Sequence, residues 1–156
     1  MKIVIQRVKN ASVRIEGKVY SSIEAGYLLL VGFSAADDEE VLPAMAKKLL
    51  ELRINEDNQG KMNLSIIDVG GEILSVSQFT LYADCKKGRR PSFTDACPPE
   101  KASQLYDKFN EVLKESGLKV ETGLFQAFME VELINDGPVT VILDSDIILK
   151  RGSHGI

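Results

Sequence analysis

Two short segments of the chain hold most of the residues that could carry chemistry. The first is Ser75-Val-Ser-Gln-Phe-Thr-Leu81, in which hydroxyl groups alternate with apolar side chains. In a strand, Ser77 and Phe79 would point to one face, and Gln78 and Thr80 to the other. A hydroxyl without a neighbouring base is a weak nucleophile, so an edge strand with its polar residues in solvent is the structural alternative.

The second segment, Asn135-Asp-Gly-Pro-Val-Thr140, combines strong turn residues with a proline. Asn-Asp-Gly by itself is typical of a simple hairpin connection. Pro138 is unusual there, because proline has no amide donor and rarely begins the return strand of a hairpin. A cis peptide costs little before proline, but the pattern alone leaves the isomer of Gly137–Pro138 open.

The chain lacks the side chains that most hydrolases use. Its only histidine is His154, close to the C-terminus, where chains are usually poorly ordered. A Ser-His-Asp or Cys-His arrangement is therefore not expected. Cys85 and Cys97 have neither zinc spacing nor a neighbouring histidine, which predicts two free thiols and no metal site. Catalysis would have to rest on carboxylates, hydroxyls, backbone groups or the substrate itself, without a cofactor.

The composition is that of an ordinary soluble protein. The 156 residues suit one domain, and 44% hydrophobic with 27% charged residues excludes a disordered chain. The longest apolar run, Tyr27–Val31, is too short to cross a membrane, and Met1–Lys9 carries charges throughout, unlike a signal peptide. We therefore expect a cytoplasmic protein with no membrane association.

The chain is acidic overall, with a net charge of −4 and a pI near 5.1. This argues against a protein that coats nucleic acid through phosphate contacts, but it allows an enzyme that touches only the end of an RNA. Against this average, four cations lie within five residues: Lys86, Lys87, Arg89 and Arg90. A solvated loop is the simpler interpretation of this cluster.

The N-terminal half predicts three strands, a helix and a turn region. Ala11, Val13 and Ile15 alternate with polar residues, which is typical of a half-buried strand within a long extended segment over residues 2–16. The other expected elements are a turn at Gly17–Lys18, strands over Val19–Ile23 and Gly26–Phe33, a helix over residues 39–53 and a polar turn region over Asn55–Asn63.

The C-terminal half predicts three more strands and a second helix. Pro98 and Pro99 suit the first turn of a helix that Gly117 ends. The other expected elements are a strand over Glu72–Tyr82, a loop over residues 84–97, and strands over Phe128–Ile134 and Val139–Leu143 separated by Asn135–Pro138. Hairpin-length connections and two main helices predict a single α+β domain with a strongly curved, mostly antiparallel, barrel-like sheet.

Together, the two segments resemble the paired signatures of the D-aminoacyl-tRNA deacylase family, also called D-tyrosyl-tRNA(Tyr) deacylases. The matching words are Val76-Ser-Gln-Phe-Thr-Leu81 and Asn135-Asp-Gly-Pro-Val-Thr140. Either motif alone would be weak evidence for the family, whereas both motifs in this order and at this separation are specific to it. The resemblance covers roughly residues 1–143 and includes Ile5-Gln-Arg-Val8, Ala11-Ser-Val13, Gly60-Lys-Met-Asn63, Arg90-Pro-Ser-Phe93, Leu105-Tyr106 and Thr122-Gly123.

The resemblance implies a metal-independent ester hydrolase for D-aminoacyl-tRNA, built as a homodimer with active sites at the subunit interface. Ser77, Gln78, Phe79 and Thr80 of one subunit would line each site. A Gly137–Pro138 motif with a cis peptide would enter from the other subunit, bind the substrate's α-amino group through its carbonyls and leave no room for an L side chain. Glycine, which has no side chain to reject, could also be accepted.

The resemblance also implies roles for single residues. Arg7 would hold the Gly-Pro motif through hydrogen bonds to backbone oxygens, a task that suits its rigid fork, whereas its simpler role is a strand residue with a solvated head group. The backbone amides of Phe79 and Thr80 would form an oxyanion hole. Met129 corresponds to a methionine near the family's pocket, although a core methionine is the simpler interpretation.

Thr80 can be interpreted in two ways. The family resemblance offers it as a nucleophile, but no histidine is available to take its proton. It would otherwise orient a group or supply only its amide, while the neighbouring ribose hydroxyl of the terminal adenosine assists water. An aminoacyl ester is already activated, so positioning and oxyanion stabilisation could suffice.

Two other functions stay open at this point. A non-enzymatic dimeric module could bind RNA through the loop Lys86–Arg90, and a hydrolase could act on small D-amino acid esters or amides without tRNA. The deacylase domain is expected over residues 1–145, followed by a tail over residues 146–156. Within that tail, Arg151-Gly-Ser-His154 resembles residues added for expression.

Overall fold

The computed structural model describes residues 1–149, whose backbone forms eight β-strands, four α-helices and one 3-10 helix. No helix among these residues is long and apolar enough to span a membrane. The elements in chain order are β1 (Lys2–Ile15), β2 (Lys18–Ile23), β3 (Gly26–Gly32), α1 (Val41–Glu51), β4 (Asn55–Glu56), β5 (Met62–Leu64), α2 (Ile66–Val69), β6 (Glu72–Ser77), the 3-10 helix (Phe79–Tyr82), α3 (Pro99–Lys114), β7 (Val120–Thr122), β8 (Glu130–Asp144) and α4 (Ser145–Ile148).

The main sheet is organised around β1, which pairs antiparallel with β2, β3 and β8. Beyond β3 the sheet continues in parallel through β6 to β7, so the order is β2-β1-β3-β6-β7, with β8 also paired to β1. The two ends of this path meet, since Ser21 Oγ on β2 donates a hydrogen bond of 2.8 Å to the carbonyl of Thr122 on β7. The predicted α+β fold with a curved, barrel-like, mostly antiparallel sheet is confirmed.

The sheet separates two cores. β3 is buried on both faces, as its continuous apolar sequence predicts. Its residues Tyr27, Leu29 and Val31 pack with α1 and α3 in the larger core, whereas Leu28 joins a smaller core formed by side chains of β1, β2, β6 and β8. Because its fully buried side chains all come from strands, the smaller core is the interior of the barrel.

The two main helices cover the outside of the sheet. α1 buries Leu42, Met45 and Leu49, and α3 buries Leu105 and Phe109, so each helix has one apolar stripe at steps of three or four residues. Both helices were predicted, and α1 is shorter at each end than the expected range. They bury the outer face of β3 and thereby hold its C-terminal end in place.

The predicted strand over Glu72–Tyr82 is wrong in its C-terminal part. The strand ends at Ser77, and the residues after Gln78 turn as the 3-10 helix. Ser77 and Phe79 therefore do not share one strand face. The same correction applies to Gln78 and Thr80, which strict alternation had placed together on the opposite face.

The strand ends there because its neighbour β3 ends there. The Gln78 amide still donates to the Val31 carbonyl at 2.8 Å, but β3 stops one residue later, at Gly32. A side chain at Gly32 would collide with the turning backbone, since a Cβ there would lie 2.8 Å from the Gln78 carbonyl oxygen. That oxygen accepts the amide of Leu81 at 3.3 Å and closes the first helical turn.

The prediction of two strands, Phe128–Ile134 and Val139–Leu143, joined by a hairpin-like connection is also wrong. β8 is one strand of 15 residues, and both of its halves pair with β1. Its pairing register shifts around Arg7, because Gln6 pairs with Thr140 and Val8 with Asn135. Residues 136–139 are therefore a bulge in a continuous ladder and not a reversal of the chain. The bulge interrupts the period-two pattern, which explains why the sequence indicated two strands.

The shortest elements escaped prediction because two to four residues carry too few positions for a periodic pattern. They are α2, β7, α4, and the β4–β5 hairpin inside the predicted turn region. α4 begins at the end of the predicted deacylase domain, where Ser145 Oγ accepts a hydrogen bond of 2.8 Å from the Met1 amine. The predicted string Arg151–His154 lies outside the described residues.

Candidate active site

A cleft of about 930 Å³ opens beside the end of β6. Its walls come from the ends of β3 and β6, the 3-10 helix, the start of α3 and the segment before β8. A mostly apolar space of this size with a few polar groups suits a small organic ligand. The lining residues are Val31–Phe33, Val76–Phe79, Phe93, Ala96–Pro99, Ala102, Phe125–Met129 and Val131.

The first sequence segment forms part of this lining through Ser77, Gln78 and Phe79. Thr80 follows them on the exposed side, and its hydroxyl accepts a hydrogen bond from the side-chain amide of Gln78. The hydroxyl therefore keeps its own proton for donation. Phe79 and Thr80 are the first two residues of the 3-10 helix, so their amides have no partner within the turn.

Aromatic rings form much of the cleft. The rings of Phe79 and Phe93 lie 5.0 Å apart between centroids, at an angle of 59°. Phe79 is 56% exposed, and Phe128, from the segment before β8, is 88% exposed. Exposed rings that border a pocket offer a stacking surface for a nucleobase or another flat group.

Met129 belongs to both the cleft and the core. It lines the cleft, and it also packs against the smaller core inside the barrel. Gly123 lies directly against it, since a Cβ at Gly123 would lie 2.7 Å from the methionine sulfur. The interpretation of Met129 as a core residue therefore describes only part of its surroundings.

Two buried titratable groups lie at or behind the cleft wall. Burial raises the pKa of the Cys97 thiol, which lines the cleft. Burial also raises the pKa of Tyr106, which lies behind Phe125 and donates to the Ser75 carbonyl at 2.6 Å. Both groups therefore stay protonated at neutral pH, so neither can serve as a general base.

Cys85 and Cys97 are both free thiols, as predicted. Within residues 1–149, no three histidine, cysteine or carboxylate side chains are arranged to hold a metal ion.

Arg7 is buried beneath the second sequence segment, with only 6% of its surface exposed. Its Nε donates to the Asp136 carbonyl at 3.0 Å, and its Nη1 donates to the Ile54 carbonyl at 2.7 Å. Carboxylate oxygens of Asp136 and Glu56 lie 3.5 and 3.6 Å from the guanidinium. The alternative of a solvated head group is therefore wrong. The rigid fork of Arg7 ties the bulge of β8 to the chain next to β4.

The Gly137–Pro138 peptide bond is cis, as the family resemblance implied. Both residues are exposed, and Gly137 has a φ of +131°. A Cβ at Gly137 would lie 2.9 Å from Val139 Cγ2 and 3.3 Å from Arg7 Nη2. Any other residue at this position would therefore have to displace the bulge or the arginine beneath it.

Tyr27 supports the same region from β3. Its hydroxyl accepts a hydrogen bond of 2.8 Å from Asn55 Nδ2, which also donates to the Leu64 carbonyl at 3.2 Å. Burial raises the pKa of Tyr27 to about 12, although the bond from Asn55 and the charge of Arg7 act in the opposite direction. Tyr27 is therefore neutral, and the counter-ions of Arg7 are the carboxylates of Asp136 and Glu56.

Within one chain, the two sequence segments lie on different strands of the sheet and far from each other. Gly137–Pro138 lies in β8 opposite Arg7 of β1, whereas Ser77 ends β6, and β3 lies between β1 and β6. Three strand spacings, on the order of 14 Å, therefore separate the two segments across the sheet. Gly137 and Pro138 are not among the residues that line the cleft in the described part of their own chain.

The sequence analysis singled out Phe79 but missed two other phenylalanines of the cleft, Phe93 and Phe128. Phe93 belonged to a family-like word but received no role, and Phe128 was expected in a strand. Phe128 in fact lies before β8, which begins at Glu130. Spacing cannot distinguish such rings from core residues, because the loops that carry them have no period.

Known proteins resemble this chain over nearly its whole length. A family model described as D-Tyr-tRNA(Tyr) deacylase matches residues 4–144. A D-aminoacyl-tRNA deacylase from a Geobacillus species is 57% identical over 145 residues, covering 93% of this chain and 95% of that protein. Another, from Listeria innocua, is 53% identical over 150 residues, covering 96% of this chain and 100% of that protein.

Two solved structures have a similar fold. One, named c-Myc DNA Unwinding Element Binding Protein, is 43% identical with a TM-score of 0.87, covering 93% of this chain and 99% of that one. The other, a probable eukaryotic D-amino acid tRNA deacylase, is 17% identical with a TM-score of 0.80, covering 91% of this chain and 97% of that one, and supports the fold alone. The family match across residues 4–144 and the two bacterial relatives place this chain in the D-Tyr-tRNA(Tyr) deacylase family.

Proposed function

We propose that this protein hydrolyses the ester bond between a D-amino acid and the 3′ end of a tRNA. The observation that carries the proposal is that Ser77, Gln78 and Phe79 of the family-like first segment line a cleft of about 930 Å³. Ligand pockets of a few hundred to about 1,000 Å³ are typical for small molecules, and a terminal adenosine with its aminoacyl group is of that class. The bacterial relatives carry this activity in their names.

The proposed reaction rests on backbone groups and the substrate's own hydroxyl. Water attacks the ester carbonyl, and the charge that develops on the carbonyl oxygen is stabilised by the amides of Phe79 and Thr80. The tetrahedral intermediate then breaks its bond to the ribose oxygen, which takes up a proton. The neighbouring ribose hydroxyl orients the water and relays this proton, so the reaction needs neither a side-chain base nor a metal ion.

Thr80 acts in this scheme as a positioning residue and not as a nucleophile. A threonine hydroxyl needs a base to become nucleophilic, and the chain has no histidine before His154. The hydrogen bond from Gln78 occupies an acceptor position of the Thr80 hydroxyl and leaves its proton free for the substrate or water.

Chirality is read by backbone that comes from a second subunit. Gly137 and Pro138 are exposed and lie three strands away from the cleft of their own chain, so we assign them to the cleft of the partner in a homodimer. Arg7 fixes the adjoining Asp136 carbonyl. With the motif held in this way, the carbonyls of Gly137–Pro138 receive the α-amino group of a D residue. An L residue exchanges two substituents of the α-carbon and so would clash or leave a polar group unpaired.

The same geometry sets the range of substrates. A backbone that reads the α-amino group does not contact the side chain, so many D-amino acids are accepted. Glycyl-tRNA is accepted as well, because glycine has no side chain to exclude. Because aminoacyl-tRNA is consumed by translation, we assign this activity to the cytoplasm.

A direct test compares D-tyrosyl-tRNA with L-tyrosyl-tRNA in the presence of a chelator. We expect D-tyrosine to be released at least about 10⁴-fold faster, since sites that leave polar groups unpaired with the wrong substrate reach such ratios. Release of the two enantiomers at equal rates would contradict the chiral selection. Loss of activity on chelation would contradict metal independence.

A nucleic-acid-binding module without turnover is the second candidate. It is favoured by the exposed cations of Lys86–Arg90 and by the likeness to a protein named for DNA binding. It predicts salt-sensitive binding to RNA, no ester cleavage and no preference for D-aminoacyl groups. A third candidate, a hydrolase of small D-amino acid esters, predicts that free D-tyrosyl esters are cleaved as fast as the charged tRNA.

A further inference from the structure

A basic hairpin over residues 84–92 has no part in the reaction proposed above. Two backbone hydrogen bonds between Asp84 and Ser92, of 2.7 and 2.8 Å, close its base. The carboxylate of Asp84 also accepts the amide of Lys86 at 3.0 Å, and Gly88 adopts a φ of +66°. Both ends of the loop are thus fixed to each other, and the residues between them project as one unit.

The basic hairpin carries four cations with no acidic partners. Lys86, Lys87, Arg89 and Arg90 are exposed, and none of them takes part in an ion pair within residues 1–149. The chain as a whole carries a net charge of −4, so this patch is opposite in sign to the net charge of the chain. Unpaired cations held together in this way form a binding surface for several phosphates.

The basic hairpin stands at the rim of the cleft. On one side it follows directly from the 3-10 helix that begins with Phe79. On the other side it leads into Phe93, whose ring packs against that of Phe79 and lines the cleft. Arg90 is three residues from Phe93, so the cations begin within about 10 Å of chain from a cleft-lining ring.

An RNA held by its last nucleotide in the cleft passes the four cations if its strand leaves over this rim. We propose that the basic hairpin binds the backbone phosphates of the RNA strand that precede the terminal adenosine. This inference rests on the proposed function, because it takes the cleft to hold the 3′ end. The contacts lie away from the reacting bond and are the same in the ground state and the transition state, so they lower KM and leave kcat unchanged.

The test uses a variant in which Lys86, Lys87, Arg89 and Arg90 are all changed to glutamine. A matched control has the same number of cations changed to glutamine at Lys47, Lys48, Arg53 and Lys61, none of which lines the cleft. Cleavage of D-tyrosyl-tRNA and binding of labelled uncharged tRNA are measured between 50 and 200 mM KCl, a range over which four phosphate contacts change the affinity by roughly 50-fold. Cleavage of 3′-O-D-tyrosyl adenosine, which lacks the phosphates, is measured in parallel.

For the hairpin variant we expect a higher KM on tRNA, an unchanged kcat and unchanged cleavage of the adenosine ester. Its plot of log kcat/KM against log salt should be shallower by about 3, since each phosphate contact contributes about 0.7 to 0.9. The control variant should keep the wild-type slope. Equal slopes and KM values in the hairpin variant and the wild type would overturn the inference.

Failure of the proposed function gives a different result. If the wild type cleaves neither the tRNA nor the adenosine ester, the proposed reaction is wrong, and tRNA binding alone decides the role of the hairpin. Binding that weakens in the hairpin variant but not in the control would still support phosphate binding. Equal binding by both variants would overturn it.

Discussion

Phe79 stands first in the 3-10 helix, so its amide, like that of Thr80, has no partner within the turn. The side-chain amide of Gln78 donates a hydrogen bond to the Thr80 hydroxyl, and Arg7 holds the carbonyl of Asp136 on the other sequence segment. In the first place one side chain fixes another, and in the second a side chain fixes a backbone carbonyl. This is how a chain with a single histidine near its end can still present polar groups to an ester.

The oxyanion role of Phe79 can be tested by comparing two substitutions, only one of which removes the backbone N–H donor. Phe79→Pro should lower kcat for D-tyrosyl-tRNA by about 10²- to 10³-fold relative to Phe79→Ala, the usual effect of losing one oxyanion donor. Both variants lose the ring that packs on Phe93, and only the proline lacks the donor. Proline suits this place because Phe79 is the first position of the 3-10 helix, where an amide donor has no partner within the turn.

The measurement is single-turnover release of D-tyrosine, with thermal unfolding as the control for folding. Equal kcat values for Phe79→Pro and Phe79→Ala would show that this amide does not stabilise the transition state. A rate for Phe79→Ala close to that of the wild type would confine the role of the ring to binding.

At this scale the sequence provided candidate residues and few of their surroundings. Ser77–Thr80, Arg7 and Gly137–Pro138 were all found from family-like words, and the structure gives each a defined position. The partners of Arg7 are carbonyl groups of Asp136 and Ile54, and backbone groups from distant parts of a chain leave no trace in a pattern of side chains. The role of Phe128 was missed for a related reason, because the sequence does not distinguish an exposed phenylalanine from a buried one.

At the scale of elements, the bulge of β8 depends on one buried side chain. Arg7 reaches the Asp136 carbonyl with Nε and the Ile54 carbonyl with Nη1, so it joins β8 to the chain beside β4. A lysine has one nitrogen and cannot make both bonds in this geometry. Its ammonium would also be buried with fewer hydrogen bonds than the guanidinium has.

Arg7→Lys should therefore loosen the bulge. We expect a loss of about 2 to 4 kcal/mol in the free energy of unfolding, as for other buried charges that lose a partner, and a smaller ratio of D to L cleavage. Arg14→Lys is the matched control on the same strand, because Arg14 is 42% exposed with only a 3.8 Å ion pair to Glu132. That control should change stability by less than about 0.5 kcal/mol.

Urea unfolding and the rates on D- and L-tyrosyl-tRNA measure both effects. If Arg7→Lys unfolds like Arg14→Lys and keeps the D to L ratio, the arginine is not what fixes the bulge. A stability loss without any change in the ratio would separate the fold's need for Arg7 from the reading of chirality.

The long periodic elements were predicted, and the irregular ones were not. α1, α3, β1 and β3 have enough residues to show their period. The errors fall where the period breaks, at the end of β6 and at the bulge of β8, because tertiary pairing decides the backbone there. These two places are also the two parts of the candidate active site, so local pattern was weakest where function is expected.

At the scale of the whole molecule, the order of the sheet determines what one chain can build. β8 and β6 lie on opposite sides of the β1–β3 pair, so Gly137 and the cleft beside Ser77 face different surroundings. A complete site would need the Gly137–Pro138 bulge of one subunit and the cleft of another. Motifs in the sequence nominate residues for a site, but whether one chain brings them together depends on the order of the strands.

Subunit mixing tests this arrangement. Phe79→Pro damages the cleft, and Gly137→Ala damages the bulge, since its Cβ would lie 2.9 Å from Val139 Cγ2. In a dimer of the two variants, one site combines both lesions, and the other combines the intact Phe79 of one chain with the intact Gly137 of the other. After joint unfolding and refolding, half of the dimers are mixed and each has one intact site, so activity should return to about a quarter of the wild-type value.

The control is the same two variants refolded separately and then combined, which should stay inactive until subunits exchange. If each site is built from one chain, every site in the mixture carries a lesion, and no activity returns after joint refolding. Sedimentation of the wild type adds a second criterion, because a monomer at the concentration of the assay that still cleaves D-tyrosyl-tRNA would contradict a shared site regardless of the mixing result.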